Sequence, residues 1–371
     1  MRYQAPRGTQ DVLPPEAQTW LDIETTFREV SRLYGYGEVR TPTFEDLGLF
    51  VRSSGETSEI VTKQMYEFTD KGGRQVALKP EGTAPVIRAL IEHNLCGPGS
   101  ICRLSYVTPI FRYERPQKGR LRESHQLGLE LIGSDSPAAD SEIIEMTAAF
   151  YKKIGLAEIV VKINSIGRSE CRAAYGAAVL QTAETWLRDQ DEETRARAAK
   201  NPLRMLDSKD PALQDALSGA PAVLEYLEPD SAERFDRLQE CLGAAEVTFQ
   251  VDPRIVRGLD YYTETVFEVQ STQLGAQSAL CGGGRYDNLV RELGGPDLPA
   301  VGVAMGIERA LIVMGLEPGA YRRNPLDVYV VAASPDQVPA AGALVRSLRS
   351  AGMSATWDLD KKTLKAHLKQ A

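Results

Sequence analysis

A basic segment at residues 111–130, FRYERPQKGRLRESHQLGLE, constrains the fold of this chain more than any other part of it. Strand-like pieces precede and follow a turn that contains Pro116 and Gly119. This arrangement predicts an antiparallel hairpin with residues 116–119 at its tip. The hairpin carries five basic residues with three glutamates between them, namely Arg112, Arg115, Lys118, Arg120, Arg122, Glu114, Glu123 and Glu130.

So many guanidinium groups in one hairpin favour phosphate binding, because the planar guanidinium fork donates two parallel hydrogen bonds. Arg112 falls on a predicted strand, which would hold its side chain more rigidly than a loop would. The segment therefore predicts an anion site with Arg112 as a fixed ligand. The alternative is a solvated hairpin with arginines and glutamates on its surface.

Two later segments combine arginine, tyrosine and glycine. VRGLDYYTETVFEV, at residues 256–269, alternates apolar and polar residues in its second half, which predicts a strand. LCGGGRYD, at residues 280–287, has three consecutive glycines, which allow a sharp bend or the close approach of a ligand. Neither has the form of a phosphate-binding loop. Each, taken alone, could instead be a structural turn beside a tyrosine-rich core strand.

Seven segments, in chain order, resemble the motifs of the histidyl-tRNA synthetases, a family of class II aminoacyl-tRNA synthetases. RGTQD is similar to the family's N-terminal motif, GYGEVRTPTFED with Pro42 to class motif 1, and KPEGTAPVIRA to the amino-acid-binding segment. FRYERPQKGRLRESHQ resembles motif 2, and GVAMGIERAL resembles motif 3. RGLDYYTETVFE and GGGRYD resemble the two segments peculiar to histidyl enzymes. The resemblance covers essentially all of residues 1–371.

The chain departs from the family pattern at three places. Lys79 stands where the family usually has arginine, and Ser124 stands where it usually has phenylalanine. Both substitutions leave the chemistry open and affect local packing. The family also continues for several tens of residues beyond the position of Ala371, so we expect a C-terminal anticodon-binding domain that is cut short.

The resemblance implies an α+β fold in which a class II antiparallel sheet is flanked by helices. Residues 168–247 are rich in Ala, Arg, Glu, Asp and Leu and almost free of strand patterns, so a helical insertion is expected there. The beginning of a βαβα pattern after Pro325 predicts a partial α/β domain. The expected division is a class II catalytic domain at residues 1–167 and 248–324, the insertion at 168–247 and an incomplete anticodon-binding domain at 326–371.

Apolar residues after Pro15 recur at steps of three and four, namely Trp20, Ile23, Phe27, Val30 and Tyr34. This spacing predicts one helix that ends near Gly35. A strand at residues 39–44 is expected next. In class II enzymes this helix and strand form the dimer interface, so the resemblance implies a homodimer. An intramolecular helix–sheet contact would explain the periodicity equally well. Further predicted elements are a hairpin at 59–69 and 74–79, helices at 84–91 and 138–154, a strand at 158–163 and, after Pro325, strand, helix, strand and the start of a helix at 361–371.

The resemblance implies a two-step reaction. Histidine and ATP form histidyl-adenylate, and the histidyl group then moves to the 3′ end of histidine tRNA. ATP is a substrate, and Mg²⁺ would bridge its phosphates. Because attack of a carboxylate on the α-phosphorus depends on positioning and charge neutralisation, Arg112 and Arg257 are the expected catalytic residues. Arg112, Glu114 and Arg309 are expected to bind ATP.

Histidine selection requires buried polar partners for both ends of the amino acid. Glu81 and Thr83 would accept hydrogen bonds from the α-ammonium group, although their place in the first turn of a helix also suits capping. Glu130 and Tyr262 would pair with the two imidazole nitrogens, which discriminates against apolar rivals. The alternative is a core carboxylate and core tyrosines. The set expected to bind histidine is Glu81, Thr83, Gln126, Glu130, Arg257, Tyr262 and Tyr286.

The hairpin loop is expected to contact the acceptor end of histidine tRNA, which in this family carries an extra 5′ nucleotide. In the family the helical insertion also lies over the acceptor arm. Its charge run DQDEETRARAAK is, however, more typical of a solvated helix face. The residues expected to contact tRNA are Arg115, Gln117, Arg120 and Arg122.

Composition excludes several classes of function. The net charge of −8 argues against a non-specific coat for nucleic acid, although a local basic surface suffices for tRNA. Five cysteines without CxxC spacing and three scattered histidines predict no metal site of the zinc type. The cysteine pattern, the lack of a signal-peptide core and the lack of a membrane-spanning apolar run predict a cytoplasmic protein without membrane contact.

Two other functions stay open at this point. A catalytically silent paralogue of this synthetase lacks the anticodon domain and serves as the regulatory subunit of the ATP phosphoribosyltransferase of histidine biosynthesis. The short C-terminus favours that function, whereas the complete set of site arginines and glutamates favours the synthetase. A bare histidine- or tRNA-binding module would not need all of these arginines.

Overall fold

The computed structural model of the chain describes residues 3–55, 58–117, 119–156, 158–208, 210–271, 273, 279–315 and 326–357. The chain divides into two compact units. One contains Met1–Val12 and Ala17–Glu317, and the other contains Leu13–Glu16 and Pro318–Ala371.

Eleven strands are described in the first unit: β1 Gly37–Glu38, β2 Phe44–Asp46, β3 Tyr66–Thr69, β4 Gln75–Leu78, β5 Cys102–Phe111, β6 Glu123–Ile132, β7 Val160–Ser165, β8 Phe249–Val251, β9 Thr263–Gln270, β10 Ala279–Arg285 and β11 Ala300–Gly306. Eight of them form one sheet in the order β1-β5-β6-β11-β10-β9-β7-β8. Neighbours are antiparallel except at the two edges, where β1 with β5 and β7 with β8 run parallel. A separate antiparallel sheet has the order β2-β4-β3.

The described helices up to residue 315 are α1 Pro14–Leu33, α2 Leu47–Ser54, α3 Thr83–Glu92, α4 Pro137–Lys153, α5 Ser169–Thr182, α6 Glu184–Arg188, α7 Glu192–Lys200, α8 Pro211–Ala216, α9 Pro229–Ala244, α10 Leu289–Glu292 and α11 Ile307–Val313. One face of the large sheet is buried against α1, α4 and α9. Phe27, Phe150 and Leu238 of these helices join Leu129 and Val303 of the sheet in one apolar core. The expected antiparallel sheet flanked by helices is therefore confirmed.

Strand β6 shows how the sequence separates the two faces of the sheet. Leu127, Leu129 and Leu131 are buried in the core. Because successive side chains of a strand point to opposite faces, Gly128 and Glu130 belong to the other face. That face is available for a binding site.

The elements described between β7 and β8 are all helical and include α5 to α9. Strands β7 and β8 pair with each other, so the chain leaves and re-enters the sheet at adjacent positions. The helical segment has an apolar cluster of its own, which includes Tyr175, Val179, Met205 and Leu213. The expected helical character of this region is confirmed, while its standing as a separate domain stays a prediction.

The second unit contains β12 Val328–Val330, α12 Val338–Ser350 and β13 Ala355–Trp357. The two strands pair in parallel, with Tyr329 opposite Thr356. The predicted strand, helix and strand are confirmed, and the helix expected at residues 361–371 lies outside the described residues. Across the described parts of both units, no helix combines the length and the apolar character needed to span a membrane.

Two local predictions are wrong. The single strand expected at residues 39–44 is interrupted: β1 ends at Glu38 and β2 begins at Phe44 in the other sheet. Pro42 lies in the gap, and proline cannot donate a ladder hydrogen bond. The first half of the hairpin expected at 59–69 is a short π-helical turn at Ile60–Gln64. There the Ser58 hydroxyl accepts a hydrogen bond from the backbone of Val61 and thereby competes with strand pairing.

Candidate active site

A cleft of about 1400 Å³ lies over the open face of the large sheet, and the helical segment after β7 supplies its opposite wall. That wall includes Trp186, Arg197 and Arg204. Ten residues predicted for the site line this one cleft: Glu81, Thr83, Arg112, Glu114, Arg120, Gln126, Arg257, Tyr262, Tyr286 and Arg309.

Small residues occupy the centre of the cleft floor. Gly282, Ala304 and Gly128 lie side by side on β10, β11 and β6. Larger side chains stand at the ends of this row, with Glu268 on β9 and Tyr106 on β5. The Arg257 guanidinium occupies the space above Gly282 and the Tyr106 ring occupies the space above Gly128, while Ala304 between them lines the cleft.

Glu81 caps the helix that borders the cleft. It is buried, and its two carboxylate oxygens accept hydrogen bonds from the backbone nitrogens of Thr83 at 2.7 Å and Ala84 at 2.9 Å. Burial raises the pKa of Glu81, while these backbone hydrogen bonds and the charge of Arg112 oppose the rise. Capping and a place in the cleft wall, which the sequence left as alternatives, are both present.

Glu130 lies buried on the cleft face of β6, at the centre of a group of hydroxyls. Its Oε1 accepts hydrogen bonds from the Thr83 hydroxyl at 2.8 Å and the Tyr106 hydroxyl at 3.2 Å. Its Oε2 accepts one from the Tyr286 hydroxyl. Burial raises the pKa of Glu130 to about 8, against the effect of these hydrogen bonds. Gly302 is required beside it, because a Cβ there would overlap Oε2.

Arg257 lies flat over the glycine strand. Its Nη1 donates to Glu268 Oε1 at 2.6 Å, and a Cβ at Gly282 would overlap its guanidinium group. The glycines of LCGGGRYD are therefore part of β10 and allow a close approach, so the sharp bend and the structural turn offered from the sequence are wrong. The Nε of Arg257 is buried without a hydrogen-bond partner among the described residues. A fixed cation with an unused donor is suited to an anionic ligand.

Three tyrosines from the segments RGLDYY and GGGRYD pack together at one end of the cleft. The ring centroids of Tyr261 and Tyr262 are 4.7 Å apart, and those of Tyr261 and Tyr286 are 5.5 Å apart. Burial raises the pKa of Tyr262, so its hydroxyl stays protonated at neutral pH and can donate as well as accept. The cluster offers an aromatic wall with hydroxyl groups at its edge.

A second cationic group lies at the base of the hairpin. Arg112 follows the last residue of β5, and its Nε donates to the Pro80 carbonyl at 2.7 Å. Its Nη1 is 4.0 Å from Glu114 Oε1, and Arg120 Nη1 is 3.4 Å from Glu114 Oε2. Arg112 is thus one residue beyond the strand on which it was expected. The hydrogen bond from its backbone nitrogen to the Arg122 carbonyl still extends the ladder and holds it in place.

Arg309 joins three elements at the far end of the cleft. It begins on α11, and its guanidinium donates to the carbonyl oxygens of Gly119 at 3.4 Å and Ala279. The neighbouring Glu308 accepts from the backbone nitrogen of His125 at 2.9 Å, which ties α11 to β6. Burial lowers the pKa of Arg309, and the nearby Arg120 adds to this effect.

Three of the four residues predicted to contact tRNA lie outside the cleft lining. Arg115 and Gln117 are exposed on the hairpin loop. The Arg122 guanidinium lies 3.8 Å from the centroid of the Tyr113 ring, and a Cβ at Gly8 would meet the Arg122 side chain. The hairpin therefore has an inner face toward the cleft, which includes Arg112 and Arg120, and an outer face.

The two residues that differ from the family pattern, Lys79 and Ser124, occupy different places. Lys79 is buried, and its ammonium donates to the Thr41 carbonyl at 3.3 Å and to the Thr41 hydroxyl at 3.4 Å. Burial lowers the pKa of Lys79. Ser124 lines the cleft. Neither side chain contacts Glu81 or Glu130 through a hydrogen bond in the part of the chain that is described.

Sequence reasoning missed Tyr106, Glu268 and the helical wall. The hairpin register could have identified Tyr106, because it pairs with Gly128 and so shares a face with Glu130. Glu268 lies on the strand segment that had been noted, but only the structure brings it to Arg257. Arg197 belongs to the charge run that was read as a solvated helix face, and no local pattern distinguishes that face from a cleft wall.

No group of three or more His, Cys, Asp or Glu side chains suited to a metal ion occurs among the described residues. All five cysteines are free thiols. The cleft is therefore characterised by fixed arginines, buried carboxyl groups and tyrosine hydroxyls.

An antiparallel sheet that carries a motif 2 hairpin, a motif 3 arginine and a helix-capping carboxylate around one cleft defines a class II aminoacyl-tRNA synthetase. The sequence model of the histidyl-tRNA synthetase family matches residues 8–310. The chain belongs to the histidyl-tRNA synthetase family and is an aminoacyl-tRNA ligase.

Individual relatives support this membership over the whole chain. A histidine–tRNA ligase from Limosilactobacillus fermentum is 46% identical over 377 residues, which cover 100% of this chain and 88% of that protein. The structure of apo S. aureus histidyl-tRNA synthetase superposes with a TM-score of 0.81 at 33% identity and covers 100% of this chain and 88% of the other.

The rival function also has a structural relative. A Bacillus halodurans structure described as an ATP phosphoribosyltransferase regulatory subunit/histidyl-tRNA synthetase has a TM-score of 0.72 at 26% identity, with 100% of this chain and 97% of the other covered. Both its identity and its TM-score are lower than those of the S. aureus enzyme. The comparison therefore favours the ligase over the regulatory subunit.

Proposed function

We propose that this chain activates histidine with ATP in the cleft and transfers the histidyl group to the 3′ end of histidine tRNA. The observation that carries this proposal is Glu130. A carboxyl group buried beside a cleft is costly unless it has a specific partner. Thr83, Tyr106 and Tyr286 hold it in one orientation. The Glu130 carboxylate can accept a well-aligned hydrogen bond from an imidazole N–H.

Histidine selection would use both ends of the cleft wall. The ring would lie against the tyrosines, with one nitrogen paired to Glu130 and the other to the Tyr262 hydroxyl. The α-ammonium group would lie near Glu81, Thr83 and Gln126. An amino acid without ring nitrogens would leave buried polar groups unpaired, so the site would discriminate against it by a factor of roughly 10⁴.

Activation would rely on two arginines held in place before the substrates arrive. A carboxylate oxygen of histidine forms a bond to the α-phosphorus of ATP, and the bond to pyrophosphate breaks. Negative charge grows on the non-bridging oxygens of that phosphorus. Arg112 is fixed by the Pro80 carbonyl, and Arg257 is fixed by Glu268. Fixed cations lower the barrier because they need no reorganisation during the reaction.

ATP would bind between the hairpin and α11. Arg309 and Glu114 line this end of the cleft with Arg112, and we assign Arg309 to the phosphates and the adenine side and Glu114 to the adenine. Magnesium would arrive with ATP as part of the substrate. The carboxylates of the cleft are already paired with backbone nitrogens or with arginine, so among the described residues they do not form a resident metal site. They therefore fit a metal ion that is carried by ATP. When bound, magnesium would supply charge neutralisation on the phosphates.

Transfer to tRNA would use the outer face of the hairpin. Arg115, Gln117, Arg120 and Arg122 are the proposed contacts to the acceptor end. The exposure of Arg115 and Gln117 supports this assignment, because a loop that reads nucleic acid must reach beyond the protein surface.

The wider organisation follows the same family. We propose a catalytic domain at residues 1–167 and 248–324, a helical insertion at 168–247 and part of an anticodon-binding domain at 326–371. A homodimer is supported by exposed apolar side chains on the small sheet, namely Phe44 and Phe68. A cytoplasmic location is proposed because tRNA charging and five free thiols both suit that compartment.

ATP–pyrophosphate exchange by the purified chain tests the proposal. Exchange in the presence of magnesium should depend on histidine and should not occur with the other amino acids. The transfer step is tested separately by aminoacylation of a histidine tRNA transcript. Binding of histidine without any exchange would refute the proposed activity and would favour the regulatory paralogue.

A further inference from the structure

The helical segment between β7 and β8 forms hydrogen bonds to alternate residues of RGLDYY, one of the two segments peculiar to histidyl enzymes. Arg204 Nη2 donates to the Gly258 carbonyl and to Asp260 Oδ1, both at 2.9 Å. Asn201 Nδ2 donates to the same Asp260 oxygen at 2.8 Å. Arg172 Nη1 donates to the Tyr262 carbonyl at 2.9 Å. The residues bonded in this way include Tyr262 and Gly258, which directly follows Arg257.

The helical segment also forms hydrogen bonds to the start of β9. Arg168 Nε donates to Glu264 Oε1 at 2.9 Å, and the Ser231 hydroxyl donates to the same oxygen at 2.9 Å. Glu264 has a φ of 49°, in the left-handed region that a residue with a Cβ rarely adopts. Such a conformation persists only where the surroundings fix it. The helical segment thus holds a strained backbone next to Tyr262.

We propose that Arg204 and Asn201 are positioning residues that set Arg257 and Tyr262 through Asp260 and the Gly258 carbonyl. This inference rests on the proposed function of the cleft. Arg257 immediately precedes Gly258, and its guanidinium must lie within the narrow space above Gly282. A shift of the 258–260 backbone would therefore move the cation directly. A change in the position of the helical segment would in this way change the rate of the activation step.

A direct role for Arg204 would produce a different result. Arg204 itself lines the cleft, so its guanidinium could contact a phosphate of ATP. In that case its loss would raise the KM for ATP, and Asp260 would have no share in the effect. In the positioning role, ATP binding by Arg112 and Arg309 is unaffected, and the loss appears in kcat and in the KM for histidine.

A double-mutant cycle on tRNA-free pyrophosphate exchange separates the two roles. The variants of the full chain are Arg204→Met, Asp260→Asn and their combination. Arg204→Met removes the hydrogen bonds to the Gly258 carbonyl and to Asp260, and Asp260→Asn removes the charge from the second of these bonds. Each single variant should lower kcat by about 10-fold. Because both act through one contact, the double variant should fall no further than Arg204→Met alone. The KM for ATP should stay within about 2-fold of the unmodified value.

Two further variants complete the design. Arg237→Gln removes an exposed pair with Glu240 on α9, outside the cleft, and should leave exchange unchanged. Asn201→Ala removes one donor to Asp260 and serves if Arg204→Met does not fold, as judged by thermal denaturation. It should show a smaller kcat loss with the same unchanged KM for ATP.

Several results would overturn the inference. They are a raised KM for ATP with unchanged kcat, effects of Arg204 and Asp260 that multiply in the double variant, and unchanged exchange in all three variants. Absence of histidine-dependent exchange in the unmodified chain would instead refute the proposed function, and with it this positioning role.

Discussion

Glu130→Gln tests the imidazole pocket, because glutamine keeps the size of the side chain and removes its charge. Burial raises the pKa of Glu130 to about 8, so the carboxyl group of the free protein is mostly protonated at neutral pH. Only the ionised form offers a full negative charge to a ring N–H. Because ionisation increases as the pH rises through 8, the loss caused by glutamine must also increase with pH.

The size of this loss follows from the pKa. A hydrogen bond to a charged group contributes about 2 kcal/mol, which is roughly 30-fold in affinity. With a pKa of about 8, roughly one tenth of Glu130 is ionised at pH 7 and roughly three quarters at pH 8.5. Glu130→Gln should therefore weaken histidine binding about 4-fold at pH 7 and about 20-fold at pH 8.5.

The assay is calorimetric binding of histidine, and separately of ATP, to both proteins at both pH values. The titration of free histidine cancels when the variant is divided by the unmodified chain at the same pH. ATP affinity should change little, because the arginines assigned to ATP make no hydrogen bond to Glu130 in the described structure. A ratio that is independent of pH, or equal losses for histidine and ATP, would show that Glu130 is a structural residue.

Three other substitutions give distinct results. Arg257→Ala should lower kcat of exchange by roughly 10²-fold or more, because it removes a preorganised charge; a raised KM for histidine at unchanged kcat would assign it to ground-state binding. Gly282→Ala should lower kcat, because its Cβ would displace the Arg257 guanidinium, whereas Gly243→Ala, whose Cβ meets nothing within 4 Å, is the control; equal activity of the two variants would contradict this explanation. Arg122→Ala should reduce aminoacylation strongly and exchange weakly, and should flatten the salt dependence of tRNA binding by a slope of about one at most; a parallel fall of both reactions would place Arg122 at the ATP site.

Elements with a strong local pattern could be predicted from the sequence. Helix α1 begins at Pro14 and stops before Gly35, whose φ is +80°. The hairpin of β5 and β6 and the strand–helix–strand of the second unit were also expected. Each of these depends on neighbours close in sequence. The motifs then identified most of the residues that the structure brings to the cleft.

The pairings within the site could not be predicted, because they join distant parts of the chain. The Thr83 hydroxyl reaches Glu130 from 47 positions away in the sequence. The fit of Arg257 over Gly282 depends on the register of β9 and β10, which no local pattern specifies. The helical wall was missed for the same reason. A charged helix face has the same composition whether it meets solvent or a cleft.

A crystal structure of the chain with histidine and a non-hydrolysable ATP analogue is the most direct test of the central claim. We expect one imidazole nitrogen within hydrogen-bond distance of Glu130 and the other near the Tyr262 hydroxyl. The histidine carboxylate should lie beside Arg257, with the α-phosphate between it and Arg112. An imidazole ring bound away from Glu130, or a nucleotide outside the reach of both arginines, would contradict the account.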